Sequence, residues 1–195
     1  MPRELCPKCQ YPNVTCICDS VSKFAHKTHI TILQHPSEVA NKKNTVKLLS
    51  LSCTSLNTLI GEEPKDFDEL QQHVAQKPQQ FVLLYPSEKA TSWDKYKHEP
   101  NVSTPKHLIV IDGTWRKAKK ILALNPWLND IRHLTLDSNY ESKYGIRKTK
   151  IEGGLSTLEA VAYTIEQIEQ RDPKPLLDLL DAFKVTFTKL MPKDV

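Results

Sequence analysis

The sequence predicts an α/β protein: a mainly parallel sheet with helices on both faces, preceded by a small metal-binding knuckle. Three observations carry this reading. Residues 81–85 and 107–111 are continuous apolar runs, as expected of strands covered on both faces. Strand-like segments alternate with helix-like ones, the pattern of βα units. Four of the five cysteines, Cys6, Cys9, Cys16 and Cys18, fall in the first eighteen residues as C-x2-C-x6-C-x-C.

The cysteine cluster comes first in the chain. Two close pairs joined by a short loop with Pro12 and Asn13 can surround one tetrahedral cation, and four sulfur ligands point to zinc. A closed four-cysteine site has no open coordination position, so the zinc is read as structural. Nothing before Cys6 resembles a secretory signal, which argues against disulfides. Cys53 lies apart, in an apolar stretch, and reads as a core thiol. The knuckle is assigned to residues 1–22 and the main domain to 23–195.

Residues 28–34 alternate, are β-branched and read as a strand, stopped by His35-Pro36. Residues 37–50 read as helix, 55–60 as a short strand, and 66–76 as a helix ended by Pro78. The strand at 81–85 stops at Pro86, and 89–105 reads as a polar loop with Pro100 and Pro105. The strand at 107–111 runs into Asp112-Gly113. A basic helix over 114–124 closes at Asn125-Pro126, followed by a strand at 131–136. Residues 137–153 are irregular and basic, and helices cover 156–170 and 173–190.

With 27 Lys and Arg against 23 Asp and Glu, the net charge is +4 and the isoelectric point near 8.7. This is too mild to imply a polyanion partner by itself. The distribution is more informative: Lys42, Lys43 and Lys47 cluster, as do Arg116, Lys117, Lys119 and Lys120, and Lys143, Arg147, Lys148 and Lys150. A basic face and a set of solvated helix faces both fit. No apolar run approaches a membrane span, so a cytoplasmic protein is expected.

In parallel sheets ligands bind beyond the carboxyl ends of the strands. Three strands end in polar turns there: Gln34-His35-Pro36, Tyr85-Pro86-Ser87-Glu88 and Asp112-Gly113-Thr114-Trp115. Asp112 is a candidate general base or ligand acceptor, and capping of the next helix by Asp112 or Thr114 is the structural alternative. Trp115 reads as a stacking surface or as core packing. Ser156 and Glu159 have capping-box spacing after Gly153-Gly154, a helix start that either approaches an anion or simply begins a helix. No G-x-G-x-x-G or Walker pattern is present.

Together these pieces resemble the DTW-domain family, whose signature reads D-T-W or D-x-T-W and stands here in the four-residue form Asp112-Gly113-Thr114-Trp115. The other matches are the knuckle, Gln34-His35-Pro36, Leu84-Tyr85-Pro86-Ser87-Glu88, Ser138-x-Tyr140 with Arg147, and Leu155-Ser156-Thr157-Leu158-Glu159-Ala160. The likeness runs from about residue 3 to residue 165. It implies a tRNA-uridine aminocarboxypropyltransferase, which moves the 3-amino-3-carboxypropyl group of S-adenosylmethionine to N3 of a uridine. It also implies a SPOUT-related fold with a trefoil knot near the carboxyl end.

On this resemblance the donor is expected against Tyr85, Pro86, Ser87, Gly113, Thr114, Trp115, Leu155, Ser156 and Thr157, with Asp112 as base. His35, Lys117, Lys120, Arg132, Arg147 and Lys148 are the expected RNA contacts. A monomer is expected, with a dimer left open. A methyltransferase of the same fold and a non-catalytic zinc-knuckle RNA-binding protein are the rival readings.

Overall fold

The computed structural model describes residues 4–100, 102–136, 140 and 154–188. The strands are β1 (His29–Gln34), β2 (Leu56–Ile60), β3 (Phe81–Leu84), β4 (Thr91–Ser92), β5 (His107–Asp112) and β6 (Arg132–Thr135). The helices are α1 (Val46–Ser52), α2 (Asp68–Gln76), α3 (Trp93–Tyr96), α4 (Trp115–Leu124), α5 (Thr157–Glu169) and α6 (Lys174–Thr188). One sheet runs β2-β1-β5-β3-β6-β4, and every pairing among the described strands is parallel.

Period-two alternation sorts the strand residues between two cores. Ile30, Ile32, Leu108 and Val110 face α1, α5 and α6, where Leu49, Val161 and Leu179 meet them. Leu33, Leu83 and Ile109 face α2, α4 and the 3-10 segment Pro126–Asp130, through Val74, Ile121 and Leu128. All of these side chains are essentially inaccessible. Each contributes on the order of 1.5–3 kcal/mol by burial. Helices therefore cover both faces, as the apolar runs predicted.

Two predicted elements differ. The helix expected over 37–50 is a 3-10 turn, Pro36–Glu38, and then α1 from Val46. Between them Asn41 accepts from the Lys43 amide at 3.0 Å and Asn44 from the Val46 amide at 2.8 Å. These local side-chain bonds compete with helix formation. The loop expected over 89–105 contains the edge strand β4 and the short α3, whose amino end Ser92 caps by accepting from the Lys95 amide. Residues 137–139 and 141–153 lie outside the described residues, and with them the path on which the implied knot depends.

The connection from β1 runs through α1 outward to β2, and that from β5 runs through α4 the other way to β6. β1 and β5 are neighbours, with Gln34 in register with Asp112. The crevice at their carboxyl ends is therefore a topological switch point, the usual ligand position in open parallel sheets.

Candidate functional site

The three polar strand ends do share one rim. The His35 amide donates to the Asp112 carbonyl at 3.0 Å, and Leu84 is in register with Val110, so the loops leave β1, β5 and β3 side by side. Asp112 continues the face that carries Leu108 and Val110, and its side chain points toward α1 and α5. It is 2% exposed. Its Oδ2 accepts from Asn44 Nδ2 at 2.7 Å and Gln34 Nε2 at 3.0 Å, and its Oδ1 from the Thr157 hydroxyl at 2.6 Å. A carboxylate offers about four acceptor positions, so three are taken. Among the described residues its side-chain partners are all neutral hydrogen-bond donors, which offset the cost of burying the group.

Capping of α4 falls to Thr114, whose hydroxyl accepts from the Lys117 amide. Gly113 sits where an added Cβ would lie 3.1 Å from the Lys117 Cβ, a close approach. Trp115 opens α4 and is 41% exposed, standing edge-on to Tyr85 with ring centroids 6.3 Å apart. It is thus not core packing. Tyr85 belongs to the α4-side core, so the Asp and Trp of the signature leave the rim on opposite faces of the sheet. Pro86 is exposed, and the Ser87 hydroxyl is held at 2.7 Å by Nδ1 of buried His133, whose Nε2 meets the Leu128 carbonyl at 3.0 Å.

At the start of α5 the capping box forms: the Glu159 amide donates to Ser156 Oγ and the Ser156 amide to Glu159 Oε2. The Leu158 amide donates to Thr45 Oγ1 at 3.2 Å. Two first-turn amides are therefore already used, which weakens the anion-cradle reading of this helix start. Leu155 and Thr157 are partly exposed beside it.

The proposed RNA contacts are scattered. His35 caps the turn after β1, its Nδ1 accepting from the Ser37 amide, while Nε2 lies 3.0 Å from Glu62. Lys117 pairs at 2.8 Å with buried Glu38, and Lys120 at 2.8 Å with Glu62, whose carboxyl Lys120 holds below its ordinary value. Arg116 and Lys119 of the same helix are exposed. Arg132 begins β6, at the opposite edge of the sheet from the rim, and pairs with Glu99 at 2.6 Å. Arg147 and Lys148 lie outside the described residues.

The four cysteine sulfurs lie within 4.8 Å of one another, with Cys6 to Cys18 at 3.6 Å and Cys9 to Cys16 at 3.8 Å. Zn–S bonds of about 2.3 Å put tetrahedral sulfurs roughly 3.8 Å apart, so the thiols fit zinc. The backbone amides of Cys9 and Lys8 lower the Cys6 thiol to about 6, while the neighbouring Cys16 thiol and burial raise Cys18 to about 12. Gln10, with φ 56°, turns the chain back so that the Cys6 amide reaches the Tyr11 carbonyl. The knuckle leans on the main core: Cys9 and Ile17 join the α6 cluster, Tyr11 packs 5.7 Å from Phe183, and Lys47 of α1 donates to the Gln10 carbonyl at 2.8 Å. Cys53 is a free, partly buried thiol packed against the core beside α1, not within it, and burial raises it to about 12.

Sequence reasoning missed Asn44, Thr45 and His133, and took Gln34 only as part of a strand end. The signal for Gln34 was its even spacing from Ile30 and Ile32, which aims it at the face Asp112 shares.

A DTW domain model matches residues 3–191. The chain is 34% identical to tRNA-uridine aminocarboxypropyltransferase 2 of Drosophila melanogaster, over 87% of this chain and 68% of that protein. It is 29% identical to the Mus musculus protein of the same name, over 87% of this chain and 58% of the relative. To tRNA-uridine aminocarboxypropyltransferase A of Arabidopsis thaliana it is 27% identical, over 86% and 73%. No solved structure matches. With its signature at the end of β5 and the domain model spanning nearly all of its length, the chain belongs to the DTW-domain family.

Proposed function

We propose that this chain transfers the 3-amino-3-carboxypropyl group of S-adenosylmethionine to N3 of a uridine in tRNA. The observation that carries the reading is the position of the family signature, Asp112 to Trp115, at the switch point of a parallel sheet, in a family whose curated relatives are named for this transfer. In the reaction an N3–C bond forms, a C–S bond breaks, methylthioadenosine leaves and the N3 proton is lost. The sulfonium supplies the activated carbon when the donor is bound. The protein's task is to choose which of its carbons meets the nucleophile, which is a matter of positioning.

The donor lies across the rim, between Tyr85, Pro86 and Ser87 on one side and Leu155, Ser156 and Thr157 on the other, with Gly113 and Thr114 as its floor. Ser87 is fixed for this by His133, and Thr157 by Asp112. Asp112 is the candidate base through the one acceptor position left on Oδ1; with that position unused it serves as an orienting group. Exposed Trp115 offers a face on which the target uridine stacks, and Arg116 and Lys119 beside it meet backbone phosphates. His35, Lys117 and Lys120 flank this surface through their ion pairs, and Arg147 and Lys148 extend it. Zinc held by Cys6, Cys9, Cys16 and Cys18 is structural. Among the described residues no helix is long and apolar enough to cross a membrane.

Mass spectrometry of tRNA nucleosides after incubation with protein and donor tests the reading. A modified uridine with stoichiometric methylthioadenosine supports it. S-adenosylhomocysteine instead makes the chain a methyltransferase, and RNA binding without donor turnover makes it a binding protein.

A further inference from the structure

Asn44 is 6% exposed and uses its side-chain amide in two directions. Oδ1 accepts from the Val46 amide at 2.8 Å, which fixes the orientation of the group, and Nδ2 is thereby aimed at Asp112 Oδ2, 2.7 Å away. Gln34 donates to that same oxygen, so Oδ2 is filled. Among the described residues only Oδ1, which takes the Thr157 hydroxyl, keeps an acceptor position open. Next to Asn44, Thr45 takes the Leu158 amide, so one dipeptide grips both Asp112 and the start of α5. An Asx turn alone explains the bond to Val46; it does not require an amide, because aspartate makes the same turn.

We propose that Asn44 is a positioning residue of the rim site, selecting which oxygen of Asp112 faces the reacting groups and holding Thr157 in place through it. The claim about rate rests on the transferase reading above.

Asn44→Asp is the discriminating variant. It keeps the acceptor for the Val46 amide but sets a carboxylate against Asp112 Oδ2. A purely local turn residue predicts transfer within about twofold of wild type. The positioning role predicts a single-turnover rate at least about tenfold lower at saturating donor, toward the ~100-fold that a 1 Å misplacement can cost, with a donor KM changed less than about threefold. Asn44→Ser, whose hydroxyl accepts from Val46 but is too short to reach Asp112, shows the same split if the carboxylate pair prevents folding. Adding Asp112→Asn to Asn44→Asp faces a donor with an acceptor again and recovers at least part of the melting temperature lost in the single variant. Wild-type rates in both single variants, or strictly additive melting shifts in the cycle, overturn the proposal. If wild-type protein releases no methylthioadenosine with tRNA, the transferase reading fails, and the melting cycle decides Asn44 by itself.

Discussion

The knuckle and the rim are each organised by polar side chains converging on one centre, but they are built by opposite routes. In the knuckle four thiols from residues 6–18 surround a place that fits a cation. In the rim three neutral donors, from residues 34, 44 and 157, surround the carboxylate of Asp112. The first is local in sequence and is arranged so that one metal ion would tie it together. The second is assembled only when β1, β5, α5 and the turn before α1 have packed. A cation bound there would hold its loop through its own bonds, whereas the rim is only as well ordered as the two cores beneath it.

The largest effect expected from breaking this contrast is loss of the metal. Structural zinc binds with an apparent free energy of about 10 kcal/mol or more, and it is gained only with the folded loop. Freshly purified protein should carry about one zinc per chain. Chelation, or Cys6→Ser, should lower the melting temperature by about 5 °C or more, because Cys9 and Ile17 share a core with Phe183. Damage should reach α6 and the Lys47 end of α1 before the β1–β5 pair, as hydrogen exchange would show. Metal-free protein with an unchanged melting curve contradicts the assignment.

Next in size is Asp112→Asn, which should cut transfer by at least ~100-fold, the scale for losing a general base. The surroundings sharpen the expectation. The asparagine amide would keep its oxygen at the Oδ2 position, accepting from Gln34 and Asn44, and turn its NH2 toward the Thr157 hydroxyl, so the acceptor position open on Oδ1 is lost and the bonds to the neutral donors weaken. Some thermal stability should fall along with the rate. Full activity in this variant would remove Asp112 from the chemistry.

Trp115→Ala acts on the exposed side of the rim. Because Trp115 is 41% exposed, the melting temperature should hardly move, while tRNA affinity should fall about tenfold, within the ~1–3 kcal/mol typical of one stacked base. Filter binding at fixed salt would measure it, and an unchanged affinity would deny Trp115 a stacking role.

The smallest effect concerns the histidines. Burial lowers His29, His107 and His133 below the ordinary value of 6.5. The unfolded chain then binds more protons in that window, so the stability they contribute is complete above pH 6.5. It is lost as pH falls from there through the depressed folded values. A drop of a few degrees in melting temperature between pH 7 and pH 5.5 is expected. His107→Gln should flatten it, since His107 stacks on Phe81 with centroids 4.3 Å apart and stands 5.7 Å from His29. A pH-independent melting point over this range would contradict it.

The same contrast explains what the sequence makes legible. The cysteine spacing exposes the knuckle because its centre is made by neighbours. The apolar runs at 81–85 and 107–111 expose a parallel sheet, and with it the rim carrying Gln34, Tyr85 and Asp112. The capping box of Ser156 and Glu159 is readable because it spans one helical turn. Asn44, Thr45 and His133 act across distances in sequence that no local pattern encodes. Lys117 and Lys120 show the same limit from the other side. Their basic run is visible, but their pairing with Glu38 and Glu62 depends on how α4 packs beside the β1 and β2 ends.

The central claim is that the rim moves an aminocarboxypropyl group and not a methyl group. The most direct measurement is chromatography of the small-molecule products after one turnover with tRNA and S-adenosylmethionine, paired with mass spectrometry of the digested tRNA. The account predicts methylthioadenosine in equal amount to a uridine carrying the 3-amino-3-carboxypropyl group, and neither product from Asp112→Asn on the same time scale. S-adenosylhomocysteine with a methylated nucleoside, or unchanged donor beside RNA-bound protein, would contradict it.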